Sequence, residues 1–344
     1  MPTPREAVAV LKVVAVAVFL LNLLPSAGLT QTSLNDIHVV PRQITPSVGH
    51  AVAITELVDG STLRSTLHVV KTDVKLVLVP VSVSDPYQRL VSGLRAENFA
   101  LFEGKKPQEI KQFSSEDAPV SIGIILDASG SMHDKFNGVR EAVTKFCEVA
   151  NPQDEFFMIV FADEPRLATD FTTAPEDLEK DLLFIRPKGR TALLDAIYMG
   201  LGKMKDAKYG KRALLIISDG GDNHSRYAEK EVKAAAKESD VMIYAIGIFD
   251  RYIPTAEEVR GPGLLAALAE PTGGRAYTLE NAIELPAVAS HIGRELRTQY
   301  VLGYRPAEMP RDGRWHKIQV KLRLPKKLSF LRARAKTGYY APAQ

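Results

Sequence analysis

At 344 residues, with 45% hydrophobic and 25% charged residues and a formal net charge of +3, the chain has a globular composition and the length for one large domain and a smaller one. So weak a positive balance gives no argument for nucleic acid or a membrane surface as the partner. The single cysteine, Cys147, excludes an internal disulfide, and its place in the apolar pattern of VREAVTKFCEVA predicts a buried helix residue and not a reactive thiol.

The first residues read as a targeting segment. Arg5 and Lys12 precede the apolar run VVAVAVFLLNLL, and Pro25, Ser26, Ala27 and Gly28 follow it. A basic start, a short apolar segment and small residues at a cleavage point describe a secretory signal peptide over residues 1–28, cut after Gly28. The run is short for a membrane-spanning helix and is interrupted by Asn22, so no span is expected after cleavage; an uncleaved anchor is the alternative. Either way the remainder is expected outside the cytoplasm, secreted or periplasmic. Residues 29–65 show no sustained period and read as a linker or extended arm.

From residue 66 the pattern becomes strand-like. LHVVKTDVKLVLVPVSVSD alternates, and FALFEG with the turn at GKKP continues strand, turn, strand to residue 117. Between residues 118 and 297 strands alternate with helices. Apolar strands are expected at VSIGIILD, EFFMIVFA, RALLIISD, DVMIYAIGIF and RAYTL. Helical spacing joins Val139, Val143 and Phe146; Leu178, Leu182 and Ile185; and Leu194, Ile197 and Leu201, with a further charged helix at YAEKEVKAAAKES. This order predicts an α/β, doubly wound, mainly parallel Rossmann-like sheet with helices on both faces. The second half of EFFMIVFADEPRLATDF reads as a hairpin, which makes one edge strand antiparallel. In AIELPAVASHIGRELRTQY, Pro286 breaks a helix unless the helix starts there. From 298 to 344 the alternation stops, and YVLGYRP, WHKIQVKLRLP, SFLRARAK and TGYY read as short strands. A few strands on either side of an α/β domain cannot easily close cores alone. Segments 66–117 and 298–344 are therefore expected to form one small β-sandwich, with the α/β domain inserted into it. The basic, aromatic end KKLSFLRARAKTGYY reads as an amphipathic strand with one wet face, and not as a nucleic-acid site.

Within this frame SIGIILDASGSM runs a buried strand into Asp127, Ser129 and Ser131. The carboxyl ends of strands are where open α/β sheets bind ligands. An ordinary turn with helix caps is the plainer reading of the same residues. Thr191 in GRTALLDAI and Asp219 at the end of RALLIISD fall on the same rim. Two carboxylates and three hydroxyls are hard oxygen donors, suited to magnesium, manganese or calcium and not to zinc.

DASGSM, the downstream Thr191 and ISDGGDN together resemble the metal-ion-dependent adhesion site of von Willebrand factor type A domains, whose core is D-x-S-x-S with a distant Thr and Asp. FALFEGKKPQEI, YVLGYRP and RAKTGYYAP are in addition similar to secreted bacterial proteins related to that family. The resemblance implies that Ser129, Ser131 and Thr191 offer hydroxyl oxygens to a divalent cation, while Asp127 and Asp219 act directly or through water. With so few carboxylates the cation keeps a position for an acidic residue of a protein partner. One departure is Arg190, where the family usually has Gly before the Thr; it can pair with Asp195, Asp222 or a ligand carboxylate, or face solvent. Asp195 is expected to brace the loop, and Asp222 and Asn223 to form it. The expectation is thus a monomeric, non-catalytic binding protein. The alternatives are a magnesium-dependent phosphatase-like hydrolase using Asp127, and a structural domain without metal. The hydrolase needs an acid two residues after its nucleophile, where this chain has Ser129.

Overall fold

The computed structural model describes residues 76–219, 221–249, 256–306 and 312–341; the expected signal peptide, the arm and the start of the first strand segment lie outside these residues. Strands β1 (Val77–Ser84), β2 (Phe99–Glu103), β3 (Lys106–Gln108) and β4 (Ile110–Ser114) come first. The alternating region follows as β5 (Ser121–Asp127), α1 (Phe136–Cys147), β6 (Glu155–Phe161), β7 (Pro165–Thr172), α2 (Pro175–Phe184) and α3 (Leu193–Lys203). It continues as β8 (Arg212–Ser218), α4 (Glu229–Glu238), β9 (Met242–Ile248), α5 (Ala256–Ala269), β10 (Ala276–Leu279) and α6 (Leu285–Arg297). The last strands are β11 (Tyr300–Tyr304), β12 (Trp315–Leu322), β13 (Arg332–Ala335) and β14 (Gly338–Tyr340).

β5, β6 and β9 are buried along their whole length, which is why their sequences run apolar without alternating. They lie in a six-stranded sheet of order β10-β9-β8-β5-β6-β7, parallel throughout except for the β6–β7 hairpin. The mainly parallel sheet and its one antiparallel edge are those expected from the strand pattern. Side chains along β5 divide by period two. Ile122, Ile124 and Leu126 enter the layer beneath α1, α2 and α6, while Ile125 enters the layer beneath α3, α4 and α5. Cys147 closes α1 within the first layer, where burial pushes its thiol up to about 12.

One helix differs from its sequence signal, and a second takes the exception that its proline allowed. Gly261, Pro262 and Gly263 conceal α5, whose buried Leu265, Leu268 and Ala269 nonetheless pack in the layer with β9 residues Ile243 and Ala245. Proline in a helix interior removes a hydrogen bond, so tertiary burial outweighs local propensity here. Pro286 falls in the first turn of α6, where its missing N–H is not needed, and so it starts the helix instead of breaking it.

The flanking segments interleave. β1 and β4 sheet with β11 and β13 in the order β13-β1-β11-β4, and β2 and β3 with β12 and β14 in the order β14-β12-β2-β3. Val79, Val81 and Val83 of β1, Phe99 and Leu101 of β2, Tyr300 and Leu302 of β11 and Ile318 of β12 share one core, with the Phe99 and Tyr300 rings 5.1 Å apart. Neither flank can bury this surface alone.

The sandwich meets the α/β domain through a buried polar layer. Glu295 on α6 is fully buried; its Oε1 accepts the Tyr244 hydroxyl at 3.0 Å and lies 3.6 Å from Arg334 Nη1 on β13. Gln299 donates from Nε2 to Ser82 Oγ on β1 at 3.2 Å and to the Tyr244 hydroxyl at 3.1 Å. A buried carboxylate that loses its ion-pair partner typically costs about 3–5 kcal/mol. Arg334 keeps 20% of its side-chain exposure, so a smaller penalty applies. Arg334→Met is expected to destabilise the protein by about 2–3 kcal/mol in thermal denaturation, and Glu295→Gln in the same chain to restore most of that loss.

Candidate functional site

The carboxyl end of β5 delivers Asp127 to the middle of the sheet, flanked by β6 and β8. Its side chain is completely buried. Oδ1 accepts the Ser129 backbone N–H at 2.9 Å, and Oδ2 accepts the Ser218 hydroxyl, from the neighbouring strand end, at 2.6 Å. The chain then enters a 3-10 turn, Gly130–Lys135, for which Ser129 is the N-cap residue in extended conformation. Ser129 does not cap this turn with its side chain. Its Oγ instead faces the Ser131 Oγ at 3.1 Å. Ser129 is buried and Ser131 is exposed, so the pair runs from the interior to the surface. The plainer reading of these serines as helix caps has no hydrogen bond behind it at Ser129.

Thr191 is held at the rim by its backbone and is 4% exposed. Asn223 Oδ1 accepts the Thr191 N–H at 3.0 Å, and Thr191 O accepts the N–H groups of Asn223 and His224. The preceding loop is tied to the serine turn, since Gly189 O accepts from Gly130 N at 3.0 Å and Ala128 O from Lys188 N at 2.8 Å. Gly189 has φ of +90°, and a Cβ there would stand 2.6 Å from the Asp163 carboxylate, whose other oxygen accepts Arg190 N at 3.0 Å. Only glycine meets both demands. The Thr191 loop is therefore docked on the serine turn by backbone bonds, whatever the side chains carry.

Asp219 follows β8 and is 2% exposed. Its neighbour is a residue that the sequence pattern does not mark. Lys135 donates from Nζ to Asp219 Oδ2 at 3.5 Å and to Ile248 O at 3.4 Å. The contact spans 84 positions, beyond the reach of any local motif. Ser218 is a second unmarked residue, concealed as the last apolar-strand position before Asp219.

Arg190 pairs with neither Asp195 nor Asp222. Its Nη1 lies 3.2 Å from His224 Nδ1, and the residue is exposed on the rim. Asp195 Oδ1 accepts Arg226 N at 2.8 Å and Tyr227 N at 3.0 Å, which braces the loop after β8 against α3. Asp222 Oδ1 accepts Leu194 N at 3.2 Å, and so covers an otherwise open N–H in the first turn of α3.

Two nearly buried carboxylates on adjacent strand ends place negative charge in a dry edge of the sheet. Burial, and then the charge of Asp219, raise Asp127 to about 7 from an ordinary carboxylate value. The oxygens available are those of Asp127, Asp219, Ser129, Ser131 and Thr191, with no nitrogen or sulfur ligand. Among the described residues no three His, Cys, Asp or Glu side chains form a metal cluster. A site of two carboxylates and three hydroxyls does not need one.

The raised Asp127 has a thermodynamic sign. The folded protein holds a proton that the unfolded chain releases, so between about pH 4 and pH 7 this group lowers stability as pH rises. In metal-free buffer Asp127→Asn is expected to gain about 2–4 kcal/mol over the parent at pH 8. The gain shrinks to little at pH 4; urea denaturation at the two pH values, with chelator, measures it.

The chain is similar to several known proteins. A curated relative from Borreliella burgdorferi, an uncharacterized protein, is 24% identical over 188 residues, covering 48% of this chain and 55% of that one, so the match spans about half of the relative's length. Among solved structures, a von Willebrand factor type A protein from Catenulispora acidiphila is 14% identical, with a TM-score of 0.48, over 76% of this chain and 63% of that one. BatB from Bacteroides thetaiotaomicron is 21% identical, with a TM-score of 0.42, over 51% of this chain and 98% of that one. The family model of the von Willebrand factor type A domain matches residues 121–291, the span from the first residue of β5 into α6. With the doubly wound sheet and the rim built at its carboxyl edge, that match places residues 121–291 of the chain in the von Willebrand factor type A domain family.

Proposed function

We propose that this domain binds a divalent cation, magnesium first and manganese or calcium as substitutes, through Asp127, Ser129, Ser131, Thr191 and Asp219, and through it engages an acidic residue of a protein partner. The observation that carries the reading is the pair of hydroxyls at Ser129 and Ser131, 3.1 Å apart beside the buried Asp127 and not spent on the backbone. The donor set is all oxygen, as a hard cation requires. The raised Asp127 supports the same reading: a divalent charge beside the two carboxylates would offset the burial, and then the charge of Asp219, that push Asp127 up. When bound, the cation supplies an acceptor position for a carboxylate oxygen. The chain's own part is to orient the hydroxyls, to exclude water from Asp127 and to hold Thr191 on the rim.

The role is non-catalytic recognition by a monomer outside the cytoplasm. The targeting signal in residues 1–28 supports that location. Among the described residues no helix is long and apolar enough to cross a membrane. Exposed Arg186, Lys188 and Arg190 lie along the loop that leads to Thr191 and favour an acidic partner surface.

Calorimetric titration of magnesium, manganese and calcium into the mature protein tests the cation. Wild type is expected to bind, and Asp127→Ala and Ser129→Ala to lose at least tenfold in affinity. Absence of binding, or equal binding by the variants, would reduce DASGSM to a structural turn.

A further inference from the structure

The rim already carries a positive charge of its own. Lys135 closes the 3-10 turn that begins just before Ser131, and its Nζ reaches across to Asp219 Oδ2 at 3.5 Å. The lysine side chain is 21% exposed and the aspartate 2%, so the ammonium stands at the mouth and the carboxylate behind it. Among the described residues, Lys135 is the cation that forms an ion pair with either of the two buried carboxylates, Asp127 and Asp219. Its other partner is the carbonyl of Ile248, an uncharged group at the end of β9.

We infer that Lys135 is a built-in counter-ion that competes with the divalent cation for Asp219, so that cation loading and release of Lys135 are one event. The inference rests on the cation-site reading above. An ammonium and a divalent ion repel each other strongly at a few ångströms in a partly buried site, and one carboxylate cannot serve both fully. The lysine stem is long and flexible, and its mouth position gives the ammonium a short path to solvent. Two effects follow. Cation affinity is lowered by the work of displacing Lys135, which keeps the site exchangeable. Displacement also frees an ammonium beside the exposed Ser131, where a partner carboxylate approaching the metal would meet it. The loaded rim thus presents a more positive face than the unloaded one by the metal's charge, with the Lys135 ammonium no longer turned toward Asp219.

Two measurements on the mature protein test this. Magnesium titration would compare wild type, Lys135→Gln, Lys135→Arg and Asp127→Ala. Acetylation of Lys135 would be followed by mass spectrometry with chelator and with saturating magnesium. Lys135→Gln is expected to bind at least tenfold more tightly than wild type, and Lys135→Arg to stay within a few-fold of it. Acetylation of Lys135 in the wild type is expected to speed up on magnesium addition. Equal affinities for wild type and Lys135→Gln, with Lys135 acetylation indifferent to magnesium, would overturn the counter-ion role and leave the cation site standing. No binding by any of the proteins would overturn the cation site and this inference with it.

Discussion

The molecule is organised around one costly placement, the burial of the Asp127 carboxylate at the carboxyl edge of a parallel sheet. Charged side chains are rarely buried without a partner, because loss of hydration is offset only by charge or by several hydrogen bonds. Asp127 receives two, the Ser129 N–H from the turn that follows β5 and the Ser218 hydroxyl from the end of β8. These bonds lower its pKa but do not outweigh burial and the charge of Asp219, and the net shift is upward. The serine turn, the docked Thr191 loop and the reach of Lys135 can each be understood as surroundings built for that group.

Rigidity at the rim comes chiefly from backbone bonds. The Gly189 carbonyl to Gly130, the Lys188 N–H to Ala128 and the paired contacts of Thr191 with Asn223 join three loops that arise far apart in the chain. Buried or half-buried acids complete the scaffold, with Asp195 gripping Arg226 and Tyr227, and Asp222 gripping Leu194. Site precision of this kind depends on the supporting shell more than on the ligating side chains themselves. Exposed Ser131 and Arg190 can then face solvent while the groups beneath them do not move.

How much of this was readable in advance differs from element to element, for physical reasons. β5, β6, β8 and β9 were legible because a strand buried on both faces has to be apolar throughout, and α1, α2 and α3 because their helical period survives in the buried residues. The hairpin to β7 showed itself through the polar break at Asp163 and Glu164. α5 was hidden because its interior carries Gly-Pro-Gly, and its helicity depends on Leu265 and Leu268 finding the sheet. The acids and serines of the rim were legible as a spaced motif. Their wiring was not, since Lys135 to Asp219 and Ser218 to Asp127 are long-range contacts that only the sheet order creates. Arg190 shows the same limit. Its sequence left Asp195, Asp222, a ligand carboxylate and solvent all open, and the fold leaves it exposed with its guanidinium beside His224.

The position of the sandwich bears on why the rim is free to act. The chain passes from β4 into β5 and from α6 into β11 at the amino-terminal edge of the parallel strands, where Arg297 pairs with Asp117 at 2.8 Å and Lys211 donates to the Leu296 carbonyl. Further ties run to the same edge: Lys336 to Asp240, just before β9, at 2.9 Å, and Thr337 N to Pro271 O, ahead of β10, at 3.0 Å. The Glu295–Arg334 layer anchors the C-terminal half of α6 in the same way. Inserting a doubly wound domain between two halves of a sandwich thus uses the edge where its strands begin. Among the described residues, none of the bonds just named reaches the opposite edge, where β5 ends at Asp127 and β8 leads into Asp219. The rim of Asp127 and Asp219 lies away from this support because the chain enters and leaves at the far end of the same strands.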